Sequence, residues 1–224
     1  MSDTETKKVN MGLVPMFATP LFVFPIENWN KHRKTILNLL PKIEPLNGHS
    51  SDRNRYDIEL PHYTDVVLGI CEDQLKEFSR AVLESSGIKD YKETTLDITE
   101  MWFDTDTAEA SYPMDTNGNV GWTAILHVDF DREIHRPPYF LSAFPKPDNG
   151  GIESFEYPVD EGMLIIFPST VAYQPGAINP EEDVKRTTVT FNIQTNTARS
   201  LKTNMQKNGW QILQIHRICQ IYQN

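Results

Sequence analysis

The amino-acid sequence predicts a mainly β protein with flanking helices, an α+β fold, for this chain of 224 residues. Residues 94–192 contain short runs rich in Thr, Ile, Val, Phe and Tyr, separated by Asn-Gly, Asp-Asn-Gly-Gly and Pro turns. Two segments with helical periodicity come before this region, and a third follows it. Strands spaced in this way are typical of a sandwich or a jelly roll.

The N-terminal part of the chain is predicted to support the strand region. Residues 1–12 are polar and predict a flexible tail, whereas the β-branched and aromatic residues 14–25 are interrupted by prolines and predict edge strands. Residues 30–40 predict a short helix that stops before a proline, and a polar loop follows it. A stronger helix is expected to start with Thr64 as its cap and to stop at Ser86 and Gly87.

Six strands are predicted in the second half of the chain, at 96–103, 121–128, 139–144, 151–157, 163–167 and 187–194. The jelly-roll domain should therefore cover residues 13–200, with supporting helices at about 28–90. A C-terminal helix is predicted for residues 201–224, where apolar residues recur at helical spacing.

Composition excludes several classes of protein. The chain carries 21 basic and 31 acidic residues, a net charge of -10, and no basic run, so we expect no nucleic-acid partner. No apolar run approaches the ~20 residues that a membrane span needs, so we expect no membrane partner. The N-terminus lacks the apolar core of a secretory signal, and Cys71 and Cys219 are too few for a disulfide scaffold. A cytoplasmic location is the expectation that follows.

One pair of residues has the spacing of metal ligands. His127 and Asp129 are two apart on the predicted strand 121–128 and its end, and residues two apart on a strand point to the same face. An imidazole and a carboxylate placed in this way can bind one metal ion. Taken alone, the pair is weak evidence, because a His-x-Asp sequence occurs often by chance.

Two longer motifs give the pair a context. Residues 161–169 (EGMLIIFPS) predict a turn and a buried strand that ends at a proline, and residues 186–192 (RTTVTFN) predict a strand that begins with an arginine. With residues 17–21 (FATPL) and the Met101-Trp102 pair, these motifs resemble the iron(II)- and 2-oxoglutarate-dependent oxygenases. The resemblance is to the small stand-alone members found in marine bacteria and their phages, and it covers roughly half of the chain.

The resemblance implies a double-stranded β-helix, also called a jelly roll, with iron(II) and 2-oxoglutarate as cofactors. It implies that His127 and Asp129 are metal ligands and that Arg186 holds the far carboxylate of 2-oxoglutarate, a role that suits a planar guanidinium. Thr188, two residues along the same strand, could add a hydroxyl group. The implied reaction oxidises 2-oxoglutarate to succinate and carbon dioxide and hydroxylates an unidentified C–H bond.

The third metal ligand departs from the family pattern. Family members place a second histidine six residues after the Phe of the F-P-S motif, and this chain has Tyr173 there. A free phenol has a pKa near 10, so it binds iron(II) well only when the metal lowers that pKa. We therefore expect a degenerate metal site made of His127, Asp129 and Tyr173. His135 is expected to be an exposed loop residue instead of a ligand.

Other conspicuous residues have structural explanations. Trp102, Trp122, Tyr139 and Phe140 are expected to form core and pocket wall instead of a stacking surface for nucleic acid. The acidic residues between positions 104 and 115 are expected to form a solvated loop, and they are Asp104, Asp106, Glu109 and Asp115.

Two functions from different classes remain open. The first is an oxygenase, impaired by its third ligand, that acts on a small-molecule or protein substrate. The second is an inactive jelly-roll protein of the same ancestry that serves as a structural or assembly subunit, for example in a virus particle. Residues 201–224 carry more apolar side chains than one packed helix face needs, so this segment is a candidate contact for a homo-oligomer or an assembly partner.

Overall fold

A computed structural model describes residues 19–40, 53–57, 61–85, 94–106, 114–118, 121–145, 148–178 and 185–197. Within these residues the helices and strands are β1 Phe22–Pro25, α1 Trp29–Leu37, β2 Arg53–Asp57, α2 Pro61–Ile70, α3 Glu72–Ser85, β3 Thr94–Asp106, β4 Trp122–Asp129, β5 Tyr139–Pro145, β6 Ile152–Glu156, β7 Met163–Pro168, β8 Tyr173–Gln174 and β9 Arg186–Thr197. The predicted tail 1–12 and the predicted helix 201–224 lie outside the described residues. None of the helices in the described ranges is both long and apolar enough to cross a membrane.

The strands form two antiparallel sheets. The larger sheet has the order β1-β7-β4-β9-β3-β2, and the smaller one has the order β6-β5-β8. The sheets pack through an apolar cluster in which the ring of Phe140 on β5 lies 5.0 Å from that of Phe167 on β7. The predicted α+β class with a jelly roll is therefore confirmed.

The two faces of the larger sheet pack against different parts of the molecule. Along β4, Ala124, Leu126 and Val128 are fully buried in the cluster that packs against the helices. Ile125 alternates with them and belongs to the cluster between the two sheets. This alternation follows from the period of two along a strand. The inner face of the larger sheet is the face that carries the candidate site.

The helices are fixed to the sheet by aromatic packing. The ring of Phe78 on α3 contacts those of Phe22 on β1 and Trp122 on β4, each at a centroid distance of 5.2 Å and edge to face. The rings of Phe22 and Trp122 also contact each other at 5.7 Å. Edge-to-face pairs of this kind add about 1 kcal/mol each to the area that they bury.

The helices and the loop between them differ in detail from the prediction. The strong helix is two helices, because the chain bends at Cys71 between α2 and α3. It begins at Pro61 and not after Thr64, since proline at the first helical position loses no backbone hydrogen bond. Strand β2 lies in the stretch that was predicted to be a polar loop, and it pairs with β3.

Gly162 fits α1 closely against the sheet. Its φ is +78°, its N–H donates to the His127 carbonyl at 2.8 Å, and its own carbonyl accepts from the N–H of Ile26 at 2.9 Å. A Cβ at this position would lie 2.5 Å from Cγ of Trp29 on α1. Both the backbone conformation and the close approach therefore require glycine here.

We expect Gly162→Ala to lower the free energy of unfolding by about 2–4 kcal/mol, since it adds a steric clash to backbone strain. Gly150→Ala is the matched control, because Gly150 has a φ of +69° but no atom within 4 Å of the added Cβ. Only the strain of about 1 kcal/mol should appear in the control. Urea unfolding measures both, and equal losses would contradict the role of Trp29.

Candidate functional site

A cavity lies on the inner face of the larger sheet, next to the segment around β8. The space that the centre of a water molecule can reach inside it is about 30 Å³, enough for a few waters. Its polar lining residues come from β3, β4, β8 and β9, and they include Asp104, Asp106, His127, Tyr173, Arg186, Thr188 and Thr190. Four of the five residues that the sequence assigned to a site thus meet in one cavity.

Strand register explains how these residues meet. Thr188 on β9 pairs with His127 on one side and with Asp104 on the other, so the three form a row across the sheet. Arg186 pairs with Asp106 one step further along. Cross-strand partners share a face of the sheet, so both rows point into the same space.

His127 is buried without hydrogen-bond partners. It is 3% exposed, and neither ring nitrogen has a partner within the described part of the chain. Burial, helped by the positive charge of Arg186 and by His135, lowers the pKa of His127 to about 3. The ring is therefore neutral at physiological pH, and it offers one donor and one acceptor nitrogen to a ligand.

Arg186 and Asp106 form a buried ion pair. Nη2 of Arg186 donates to Oδ2 of Asp106 at 3.1 Å, and its Nε lies 3.4 Å from the same oxygen. Its Nη1 donates to the carbonyl of Gly176. Gly176 can approach so closely because it has no Cβ, which would lie 2.1 Å from the carbonyl oxygen of Arg136.

The expectation of a solvated acidic loop was wrong for Asp104 and Asp106. Both are buried on β3, which continues to residue 106 because β9 pairs with it along its whole length. Oδ2 of Asp104 accepts from the indole nitrogen of Trp102 at 2.8 Å. Asp115 is exposed as predicted, and Glu109 lies outside the described residues. Trp102, Asp104 and Asp106 are spaced by two residues, and this spacing was the sequence signal that they share one buried face.

Asp129 does not line the cavity. The register of β4 against β9 changes from His127 opposite Thr188 to Asp129 opposite Thr187, so Val128 is an extra residue in a bulge. The carboxylate of Asp129 binds Arg33 on α1 instead. The shared metal site of His127 and Asp129 stays a prediction, because a register change alone does not fix the direction of a side chain.

Arg33 on α1 binds the carboxylate of Asp129. Its Nη2 donates to Oδ1 of Asp129 at 2.7 Å, and its Nε lies 2.8 Å from a carboxylate oxygen of Glu161. The hydrogen bond with Asp129 is the main reason why the pKa of Arg33 is raised. All three side chains are about one third exposed, so the network contributes no more than about 1 kcal/mol.

Tyr173 lines the cavity from β8. Its ring packs against those of Phe167 and Phe140, with centroids 5.2 and 6.4 Å away, and its hydroxyl oxygen accepts from the side-chain amide of Asn117 at 3.3 Å. The neighbouring Gln174 instead accepts a hydrogen bond from the hydroxyl of Tyr139. The position that the family motif assigns to the second histidine thus faces the cavity.

His135 was expected to be exposed, and this expectation was wrong. It is 3% exposed, because a turn folds it back so that its Nδ1 accepts from the N–H of Asp131 at 2.9 Å. Its ring lies 5.3 Å from that of Phe130, which also contacts His127. Burial is the main cause that lowers the pKa of His135.

No iron(II) centre of three His, Cys, Asp or Glu side chains is formed within the described ranges, so a three-donor centre here would need another donor such as Tyr173. His127 and Tyr173 share the cavity, whereas the carboxylate of Asp129 is bound by Arg33. The metal-ligand roles of these three residues stay predictions, as do the cosubstrate roles of Arg186 and Thr188.

Comparison with known proteins identifies the fold. No family model and no curated protein matches the chain. An oxidoreductase of the 2OG-Fe(II) oxygenase family from Burkholderia pseudomallei aligns with a TM-score of 0.53 at 9% identity, over 78% of this chain and 84% of that one. HygX from Streptomyces hygroscopicus, solved with nickel, 2-oxoglutarate and hygromycin B, aligns with a TM-score of 0.52 at 11% identity, over 78% and 82%.

A third solved structure leads to the same class. A prolyl-4-hydroxylase from Pseudomonas putida aligns with a TM-score of 0.50 at 14% identity, over 79% of this chain and 92% of that one. The chain therefore has the fold of the 2-oxoglutarate- and iron(II)-dependent oxygenases. At these identities the likeness concerns the fold, and the chemistry of the site has to be argued from its own residues.

The burial of His127 predicts a pH dependence of stability. Its pKa is about 3 in the folded state and near 6.5 when unfolded, so below pH 6.5 the unfolded state binds more protons and stability falls. Between pH 7 and pH 5 this effect should cost about 2 kcal/mol. We expect His127→Gln to remove that loss in urea unfolding, and His32→Gln serves as the control for one histidine less. An unchanged pH dependence in His127→Gln would contradict the burial of a neutral ring.

Proposed function

We propose that this chain is an impaired 2-oxoglutarate- and iron(II)-dependent oxygenase that acts on an unidentified small-molecule or protein substrate. The observation that carries the proposal is the meeting of His127, Tyr173, Arg186 and Thr188 in one cavity of an oxygenase fold. Iron(II) and 2-oxoglutarate are the proposed cofactors. The proposed impairment lies in the donor set, since a phenol takes the place of the second imidazole and the carboxylate of Asp129 is bound by Arg33.

The chain's own residues support a site for small polar ligands. The cavity lies beside the apolar cluster that joins the two sheets, with which it shares Ile125 and Tyr173. His127 presents a neutral imidazole, the form that binds metals and accepts hydrogen bonds.

The direct test measures iron(II) binding and succinate release on the purified full chain. An impaired oxygenase should bind iron(II) weakly and should convert 2-oxoglutarate slowly, even without a substrate. Iron(II) affinity and turnover as high as those of an intact oxygenase would contradict the impairment. No metal binding and no succinate at all would contradict the enzyme itself.

We expect Tyr173→His to tighten iron(II) binding by about tenfold or more, since a neutral imidazole binds without the cost of ionising a phenol. Tyr157→His is a matched control, because Tyr157 packs against the same apolar cluster but does not line the cavity. Calorimetry measures both affinities. Unchanged affinity in a folded Tyr173→His protein would mean that residue 173 is not the position of the third ligand.

The second candidate is an inactive subunit that assembles with other proteins, as in a virus particle. Three large apolar side chains on β5 and β6 favour it, because Phe144, Ile152 and Phe155 are 51%, 56% and 55% exposed. Exposed apolar groups of this kind are frequent at protein contacts. The apolar segment 201–224, which lies outside the described residues, is the other proposed contact.

Removing residues 201–224 tests this candidate. If the segment joins subunits, we expect the full chain to self-associate and the shortened chain to be a folded monomer in light scattering. An insoluble product would show that the segment is a core element of the same chain. A full-length protein that is strictly monomeric and forms no complex would contradict a homo-oligomer.

A further inference from the structure

Arg186 already holds a carboxylate that belongs to the protein. Its Nε and Nη2 both point to Oδ2 of Asp106, and the two residues are only 3% and 2% exposed. We propose that Asp106 determines the ligand specificity of the cavity: it occupies the part of Arg186 that a ligand carboxylate needs, so that an uncharged polar group binds there better than a carboxylate. The inference rests on the proposed function only in taking this cavity as the ligand site.

The hydrogen bonds that Arg186 already makes limit how it can bind a ligand carboxylate. A guanidinium binds a carboxylate best through two parallel N–H bonds, from either Nε with Nη2 or Nη1 with Nη2. Asp106 lies on the first of these edges, and the carbonyl of Gly176 accepts from Nη1 on the second. Neither edge can therefore give both of its N–H groups to a ligand carboxylate while these contacts hold.

The negative charge of Asp106 also opposes the binding of a ligand carboxylate beside Arg186. A carboxylate that approaches Arg186 also approaches Asp106, and two like charges repel strongly where little water screens them. An amide or a hydroxyl group can accept from a guanidinium N–H without this repulsion. The ion pair thus weakens the binding of a dicarboxylate such as 2-oxoglutarate, in line with an impaired oxygenase, and it favours an uncharged polar ligand.

Apart from Asp104, the other polar side chains that line the cavity with Arg186 and Asp106 are uncharged. The ring nitrogens of buried His127 have no hydrogen-bond partner among the described residues, although burial keeps the ring neutral. The side chains of Thr188 and Thr190 line the same space and carry hydroxyl groups. A ligand with amide or hydroxyl groups can satisfy these donors and acceptors together, which is the pairing that buried polar groups require.

Asp104 provides a matched control for Asp106. It lies two residues earlier on the same strand and lines the same cavity, and its Oδ2 accepts from the indole of Trp102. Asp104→Asn and Asp106→Asn change the charge of the cavity by the same amount. Only the second substitution removes the carboxylate from the bidentate edge of Arg186.

The experiment uses the full chain without added metal and two probes with the same carbon skeleton, succinate and its diamide succinamide. Calorimetry should show that the wild-type protein binds succinamide at least as tightly as succinate. Asp106→Asn should bind succinate more tightly than the wild type by about tenfold or more, and any gain in Asp104→Asn, which removes the same charge, should be much smaller. Because no iron is present, these results are independent of oxygenase activity.

Several outcomes would overturn the proposal. They are a wild-type preference for succinate of about tenfold or more, an equal gain in Asp104→Asn, or no succinate binding by Asp106→Asn. If Asp106→Asn is unfolded, added succinate should restore its circular dichroism by replacing the missing carboxylate, and a failure to do so also overturns the proposal. Lack of turnover together with the expected binding pattern would contradict the proposed oxygenase function alone.

Discussion

The pairing of β9 with β3 and β4 is the interaction on which the rest of the structure depends. β9 lies inside the larger sheet, and its alternate residues Val189, Phe191 and Ile193 are fully buried under the helices. The residues on the opposite face of the strand, Arg186, Thr188 and Thr190, line the cavity. One strand thus supplies both the core and the polar floor of the site, and a slip of one residue would exchange the two faces.

The same pairing decides which neighbours reach the cavity. Because β9 keeps β3 in register to its last residue, Asp106 is brought next to Arg186. On the other side, the bulge at Val128 ends the regular register of β4 just after His127, and Asp129 turns toward α1. Two acidic residues therefore exchange the environments that the sequence suggested for them, one entering the cavity and the other leaving it.

The features of this fold that could be predicted from the sequence are those that depend on local sequence. The six strands of the second half were predictable, since β propensity and turn residues mark them, and so was the cavity-facing position of His127 and Arg186. The bulge at Val128, the burial of Asp104 and the burial of His135 were not predictable. The bulge and the burial of Asp104 depend on pairing with strand β9, and His135 forms a bridge with Ile178 besides its local turn. These partners are distant in sequence, and a period of two carries no information about where a register changes.

The two ion pairs at the site differ in how easily they can open. Arg33 and Asp129 are each about one third exposed, so water can replace either partner and the contact is worth no more than about 1 kcal/mol.

The Arg186–Asp106 pair is buried, and removing one partner of a buried pair costs about 3–5 kcal/mol because the other charge remains without compensation. Asp129 can therefore leave Arg33 more easily than Asp106 can leave Arg186. The buried pair thus constrains the chemistry of the cavity more strongly than the partly exposed pair does. The apolar core that maintains the fold lies on the opposite face of the sheet from the buried pair. This separation explains how an oxygenase fold can persist while the specificity of its site changes.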